Sequence, residues 1–185
     1  MTDEYARTQL DVAAYAARTQ AGSCFICRVI DGSQEHEHPI IYRDDTAIAF
    51  LNRFPTLAGY VLVAPIAHRE EVVGDFSLEE YLRLQAVVYR VGRAISATLP
   101  TERLYVLSLG SRQGNAHLHW HLAPLPPGVP YDEQQYHALM VETKGYLAIP
   151  DEVQADLAAR IGAAVAADTA TSPPAEGTFA PTARP

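Results

Sequence analysis

Asn115-Ala116-His117-Leu118-His119-Trp120-His121-Leu122 alternates histidine with apolar residues. A β-strand repeats every two residues, so positions i, i+2 and i+4 project from one face. The pattern predicts a strand with His117, His119 and His121 on one face, starting roughly 6.5–7 Å apart. Leu118, Trp120 and Leu122 take the opposite face, which suits a buried sheet. Three of the seven histidines in the chain stand here in register, more than an incidental edge strand accounts for. Histidine is the commonest metal ligand and the usual base or nucleophile near neutral pH. The stretch therefore reads as a metal site or a catalytic site.

Upstream, the loop Gly110-Ser111-Arg112-Gln113-Gly114-Asn115 delivers the chain to the histidines from a strand over residues 103–109. Strands joined this way suggest an antiparallel pair. Ser77-Leu78-Glu79-Glu80 is a capping box that opens a helix running to about Thr98. Tyr81, Leu84, Val87, Val88, Val91 and Ile95 give that helix one buried face. Strands are expected at Ile40–Tyr42 and Thr46–Leu51, turned by Asp44-Asp45, and at Tyr60–Pro65. Pro124, Pro126, Pro127 and Pro130 are expected to stop regular structure after the histidines. Residues 3–20 read as an amphipathic helix, residues 131–141 as a short helix, and residues 151–167 as a stronger one. The tail from Thr169 to Pro185 is rich in Pro, Ala, Thr, Ser and Gly and is expected to be disordered. The fold class is α+β: an antiparallel sheet of about five strands, one long central helix, and extra helices at both ends. The expected divisions are 1–21, an N-terminal helical extension; 22–130, the main domain; 131–168, a C-terminal helical extension; and 169–185, the tail.

The chain has 185 residues, 48% of them apolar, enough for a domain with a real core. A net charge of −8 argues against nucleic-acid or anionic-membrane partners, because no basic field dominates. No apolar run approaches the ~20 residues needed to span a bilayer. The N-terminus, Met1-Thr2-Asp3-Glu4, is acidic and has no apolar secretory core, so the expected compartment is the cytoplasm. The two cysteines are then expected to be reduced or metal-bound.

Those cysteines form Cys24-Phe25-Ile26-Cys27. Such a pair is half of a zinc site, a redox pair or two ordinary buried thiols, and a redox pair of the thioredoxin type follows a strand and opens a helix. This pair follows an expected helix, so half of a zinc site is the better reading. Two further ligands are needed for a tetrahedral site. His36, His38, His68, His137 and the triad are the candidates.

The histidines also suit attack on phosphorus. Neutral imidazole attacks, and the phosphoramidate formed is later hydrolysed. The middle ring has neighbours on both sides, making His119 the natural nucleophile. His121 is then the natural oxygen donor or proton carrier. Ser111, Gln113 and Asn115 are neutral donors that could cover phosphate oxygens, and Arg112 could add charge.

The run His-φ-His-φ-His-φ, with φ apolar, resembles the signature of the histidine-triad (HIT) superfamily of nucleotide hydrolases and transferases. The resemblance covers roughly residues 22–125. Cys24–Ile30 is similar to the amino-terminal zinc knuckle of many bacterial members. Ala49-Phe50-Leu51-Asn52-Arg53-Phe54-Pro55 is similar to the segment whose Asn or Asp holds the ribose hydroxyls, here Asn52. Gly59-Tyr60-Val61-Leu62-Val63-Ala64-Pro65 followed by His68 resembles the Gly-His-x-Leu-Val-x-Pro segment and its downstream zinc histidine.

The resemblance implies a HIT-like fold, structural zinc on Cys24, Cys27, His68 and His117, and His119 as nucleophile. It implies that His121 contacts the phosphate or the leaving group, and that Gln113 binds phosphate. A purine nucleotide substrate and a homodimer are implied as well. The family's usual residues are replaced at Tyr60 (a histidine) and Arg112 (a glycine), and Ser108 stands near an expected asparagine. Asn52 and Gln113 resemble the fragile-histidine-triad branch, which cleaves diadenosine polyphosphates. The compact zinc form resembles the Hint branch, which cleaves nucleoside phosphoramidates. The expected function is a nucleotide hydrolase or transferase working through a covalent nucleotidyl-histidine. A non-catalytic zinc- and nucleotide-binding module and a phosphorylase-type nucleotidyltransferase are the alternatives.

Overall fold

A computed structural model describes residues 5–34 and 38–171, with side chains to residue 168. Its centre is a five-stranded antiparallel sheet. The strands are β2 (Ile40–Arg43), β3 (Ala47–Leu51), β4 (Val61–Pro65), β5 (Arg103–Ser108) and β6 (Trp120–Leu125), in the order β2-β3-β4-β6-β5. The long helix α3 (Leu78–Thr98) lies across one face. Its capping box forms as the sequence predicts: Ser77 Oγ accepts from the Glu80 N–H, and Glu80 accepts from the Ser77 N–H at 2.8 Å. The α+β class, the sheet and the long helix match the expectation.

Both faces of the sheet are covered, which explains why β3 and β4 are continuous apolar runs rather than alternating ones. Ala49, Leu51, Val61 and Val63 face α3 with Leu118, Trp120 and Leu122. Ile48, Phe50, Leu62 and Ala64 face the short helix α2 (Phe25–Asp31), with Ala123 and Leu125. Leu62 pairs with His121 across β4 and β6, so the histidine lies on the α2 face. The C-terminal helix α6 (Asp151–Thr171) joins the α3 face through Leu157, Ala158, Ile161 and Val165. A Cβ at Gly162 would meet the Ile41 carbonyl oxygen at 2.9 Å, so only glycine lets α6 lie this close to β2.

Several expectations are corrected. Within the expected helix over 3–20, the described residues from Tyr5 onward do not form one helix. Arg7–Thr8 is a strand, β1, paired antiparallel with β7 (Tyr146–Leu147), and α1 spans Val12–Ala21. Asp11 decides the start of α1, because its Oδ1 accepts from the Ala14 N–H at 2.9 Å. Arg7 holds the preceding segment extended by donating to the Thr56 carbonyl at 3.0 Å. The region expected to be one helix over 131–141 is a 3₁₀ turn (Tyr131–Glu133) followed by α4 (Tyr136–Leu139) and α5 (Val141–Lys144).

The histidine strand begins later and ends later than its alternation predicts. β4–β6 pairing starts at Val63 with Trp120, so His117 and His119 precede the strand. Beyond Pro65 the partner chain diverges, and the Leu118 N–H donates instead to the Arg69 carbonyl at 2.6 Å. Pro124 does not stop β6. The Leu125 carbonyl accepts from the Glu102 N–H on the β5 side, so Pro124 turns its backbone to the other side, past the start of β4, where no donor is needed.

α6 runs past residue 169 to Thr171. The remainder of the expected tail, 172–185, and His36 lie outside the described residues. Among the described residues, no helix is long and apolar enough to cross a membrane.

Candidate functional site

The triad divides between two adjoining sites. His117 turns to the cysteines and His68; His119 and His121 turn to each other.

Cys24 is the N-cap of α2, with its Sγ accepting from the Cys27 N–H at 3.5 Å. Cys27 stands one turn on, so the first turn of α2 presents both sulfurs together. His117 Nδ1 lies 3.5 Å from each sulfur, and His68 Nδ1 lies 3.3 Å from Cys27 Sγ. All four donor atoms fall within 4.8 Å of one another. Zinc–sulfur and zinc–nitrogen bonds of about 2.3 and 2.0–2.1 Å at tetrahedral angles put sulfur and nitrogen about 3.5 Å apart. The cluster has the spacing of a Cys₂His₂ zinc site.

The far sides of both imidazoles are anchored, as ligating histidines generally are. His117 Nε2 faces the Pro65 carbonyl at 3.0 Å, and His68 Nε2 faces Glu70 Oε1 at 3.2 Å. These contacts put the proton on Nε2 and leave Nδ1 free to ligate. Burial lowers the His117 pKa to about 4, which keeps the ring in the neutral form a metal requires. Burial and the neighbouring Cys24 raise Cys27, as a free thiol, to about 11. A metal ion reverses that order by taking the place of the protons. Four protein ligands would leave no open position, so a metal ion held here would be structural.

Next to this cluster His119 is buried at 3% exposure, with the Phe25 ring edge-on at 6.0 Å between centroids. Its Nδ1 donates to the His117 carbonyl at 2.8 Å, so in the neutral ring Nε2 carries the lone pair. Burial lowers its pKa, and the His117 carbonyl partly opposes the shift. The His121 ring follows at 4.7 Å between centroids. Burial, then the His119 ring, lower its pKa to about 3.

Ser111, Gln113 and Asn115 stand in the loop between β5 and His117. Its first residue, Gly110, has φ +130°, and a Cβ there would approach the Asn115 carbonyl and lie 3.8 Å from His119 Cε1. The loop therefore curls against the His119 ring. Ser111 and Gln113 are exposed; Asn115 donates to the Tyr15 hydroxyl of α1 at 2.9 Å. Asn52 follows β3 and accepts from the Phe54 N–H at 3.0 Å. Among the described residues, none of these four side chains hydrogen-bonds a triad histidine. Arg112 pairs outward with Glu71 at 2.8 Å.

Sequence reasoning overlooked some members. Glu70 had a signal, a carboxylate two residues after a candidate ligand. Ser108, which the sequence marks as standing near an expected asparagine, donates its hydroxyl to the His119 carbonyl at 2.9 Å, a contact that no pattern signals. Tyr15 had none.

The HIT domain is the family description that matches this sequence, over residues 33–127, just over half of the chain. The chain belongs to the HIT domain family. An uncharacterised HIT-like protein of Saccharolobus solfataricus is 29% identical over 104 residues, covering 55% of this chain and 73% of the relative. Another from Mycoplasma genitalium is 32% identical over 119 residues, covering 59% and 76%.

Solved HIT structures share the fold. A hypothetical histidine triad nucleotide-binding protein of Sulfolobus tokodaii superposes with a TM-score of 0.63 at 23% identity, covering 79% of this chain and 94% of that one. A zinc-bound histidine triad family protein of Mycobacterium smegmatis gives 0.61 at 21% identity, covering 81% and 98%. In this chain Cys24, Cys27, His68 and His117 form a cluster that could hold a metal ion.

Proposed function

We propose that this HIT protein is a nucleotidyl hydrolase or transferase that cleaves a phosphoanhydride or phosphoramidate of a purine nucleotide through a covalent nucleotidyl-His119 intermediate. The observation that carries this reading is the Nδ1 bond from His119 to the His117 carbonyl, which leaves Nε2 unprotonated. That lone pair attacks phosphorus, and the leaving group departs with the electron pair of its bond. Water then cleaves the phosphorus–nitrogen bond and returns neutral His119. His121 supplies a contact to phosphate or leaving group. Ser111, Gln113 and Asn115 are placed in a loop that could cover the non-bridging oxygens, and Asn52 would hold the ribose. Zinc on Cys24, Cys27, His68 and His117 anchors the residue that in turn fixes His119.

Acid quenching of enzyme mixed with excess diadenosine triphosphate or adenosine 5′-phosphoramidate tests the intermediate. The expected result is one added adenylyl group on the peptide containing His119. Turnover with no such adduct at any quench time, and with oxygen-18 water entering the product at the rate of a single displacement, would count against it.

The same reading includes a homodimer. Among the described residues β5 has β6 as its one strand neighbour, so its outer edge is free to pair. Val106 on β5 and Tyr89 on α3 are exposed beside a groove that also involves Arg93 and Leu104. A second copy would bury this apolar edge by two-fold pairing. Light scattering is expected to give twice the chain mass for wild type and the single mass for Val106→Glu. A monomeric wild type at tens of micromolar would refute the dimer.

A further inference from the structure

Tyr60 lies on the α2 face and is 5% exposed. Its hydroxyl is 3.1 Å from His121 Nδ1, and the two rings meet edge to face at 5.8 Å between centroids. Burial pushes the ionisation of Tyr60 far above its ordinary value, so the group is a phenol. Nδ1 of His121 is its one hydrogen-bond partner among the described residues. The O–H therefore donates, Nδ1 accepts, and neutral His121 carries its proton on Nε2. That Nε2 is buried and has no partner among the described residues. An N–H so placed costs about 1–3 kcal/mol, and such a group in a native site calls for an explanation. A substrate oxygen supplies one. His119 and His121 thus carry opposite tautomers: one Nε2 has a lone pair, its neighbour a proton.

We propose that Tyr60 is a positioning residue that locks His121 as a fixed Nε2–H donor to a substrate oxygen, not a proton carrier, and so directs the site to phosphoanhydrides over phosphoramidates. The proposal rests on the nucleotidyl-His119 reading above. To deliver a proton, His121 would first have to hold one on each nitrogen. A proton on Nδ1 would face the Tyr60 O–H. The hydroxyl would have to turn away and leave its own proton without an acceptor in buried surroundings. Among the described residues no carboxylate hydrogen-bonds Tyr60, His119 or His121 to offset the charge.

The leaving group must then depart without a proton from His121. In a phosphoanhydride the bridging oxygen leaves as phosphate with the bonding electron pair, an anion stable at neutral pH. The Nε2–H stabilises its growing charge by hydrogen bonding and keeps its proton. In a phosphoramidate the nitrogen must gain a proton as the bond breaks, and this site offers none.

Two measurements on the full-length, zinc-loaded protein test the proposal. Nitrogen-15 histidine NMR without substrate is expected to show His121 in the Nε2–H form, with Tyr60→Phe giving a mixture of tautomers. Kinetics are expected to show wild type favouring diadenosine triphosphate over adenosine 5′-phosphoramidate at least tenfold in kcat/KM. Tyr60→Phe is expected to lose about tenfold in kcat on the anhydride with little change in KM, because a donor is loosened rather than deleted. Tyr60→His, which keeps a polar partner if the phenylalanine variant folds poorly, is expected to narrow the preference. A wild-type His121 protonated on Nδ1 would overturn the lock whatever the kinetics. Equal or faster cleavage of the phosphoramidate would overturn the leaving-group preference. Turnover of neither substrate would overturn the nucleotidyl-His119 reading and that preference with it, and the NMR result would then decide the lock alone.

Discussion

His119→Ala is expected to lower release of adenosine monophosphate by at least 10³-fold while leaving the fold and the zinc content intact. Removal of a covalent nucleophile costs rate factors of this order or larger, because the step cannot be rerouted through the remaining groups. The structural cost is small beside that. The substitution deletes one hydrogen bond, to the His117 carbonyl, and the ring contacts with Phe25 and His121. His117 keeps both its approach to the sulfurs and its anchor at Pro65. A few kcal/mol of stability is at stake at most, about 1–3 for the orphaned carbonyl. Kinetics run alongside zinc analysis and a melting curve separate the two losses. Full activity in a folded, zinc-loaded variant would end the assignment of His119, and His121 would be the next ring to test.

Much of this arrangement was legible because period-two and period-four patterns report which face a residue occupies. The alternation from His117 to Leu122 placed Leu118, Trp120 and Leu122 on the core face correctly. It could not show where the strand begins, because a ladder depends on its partner, and β4 ends at Pro65. The spacing of Val153, Leu157, Ile161 and Val165 marked a helix; that it lies on β2 depends on Gly162, which carries no local signal. Cys-x-x-Cys announced half a site. Which histidines complete it depends on the stretch after β4 and on the turn before β6, brought together only by tertiary structure. Tyr60 and His121, 61 residues apart in sequence, meet because Leu62 pairs with His121 across β4 and β6, a register that no pattern in either strand specifies.

Zinc carries the second large effect. Wild-type protein is expected to purify with one zinc per chain, and Cys24→Ser/Cys27→Ser with none. The cluster ties three separated pieces together: the first turn of α2, the stretch after β4, and the turn that presents His117 and His119. A ligand bound only to the folded chain adds about 4 kcal/mol when present at 1,000 times its Kd. For a chain of this length each kcal/mol moves Tm by about 2–4 °C, so metal loss is expected to lower it by about 8–16 °C. Cys24 packs with the core on the α2 side of the sheet, whereas α3 and α6 pack on the other side, so the apo chain is expected to stay largely folded with a local failure at α2. Activity should fall with the metal, although zinc takes no chemical step, because the His117 carbonyl that fixes the His119 tautomer rides on a zinc ligand. Chelation of wild type should reproduce both losses, and added zinc should restore them only where the cysteines are intact. A zinc-free wild type that melts at the same temperature with and without the metal would refute the structural role.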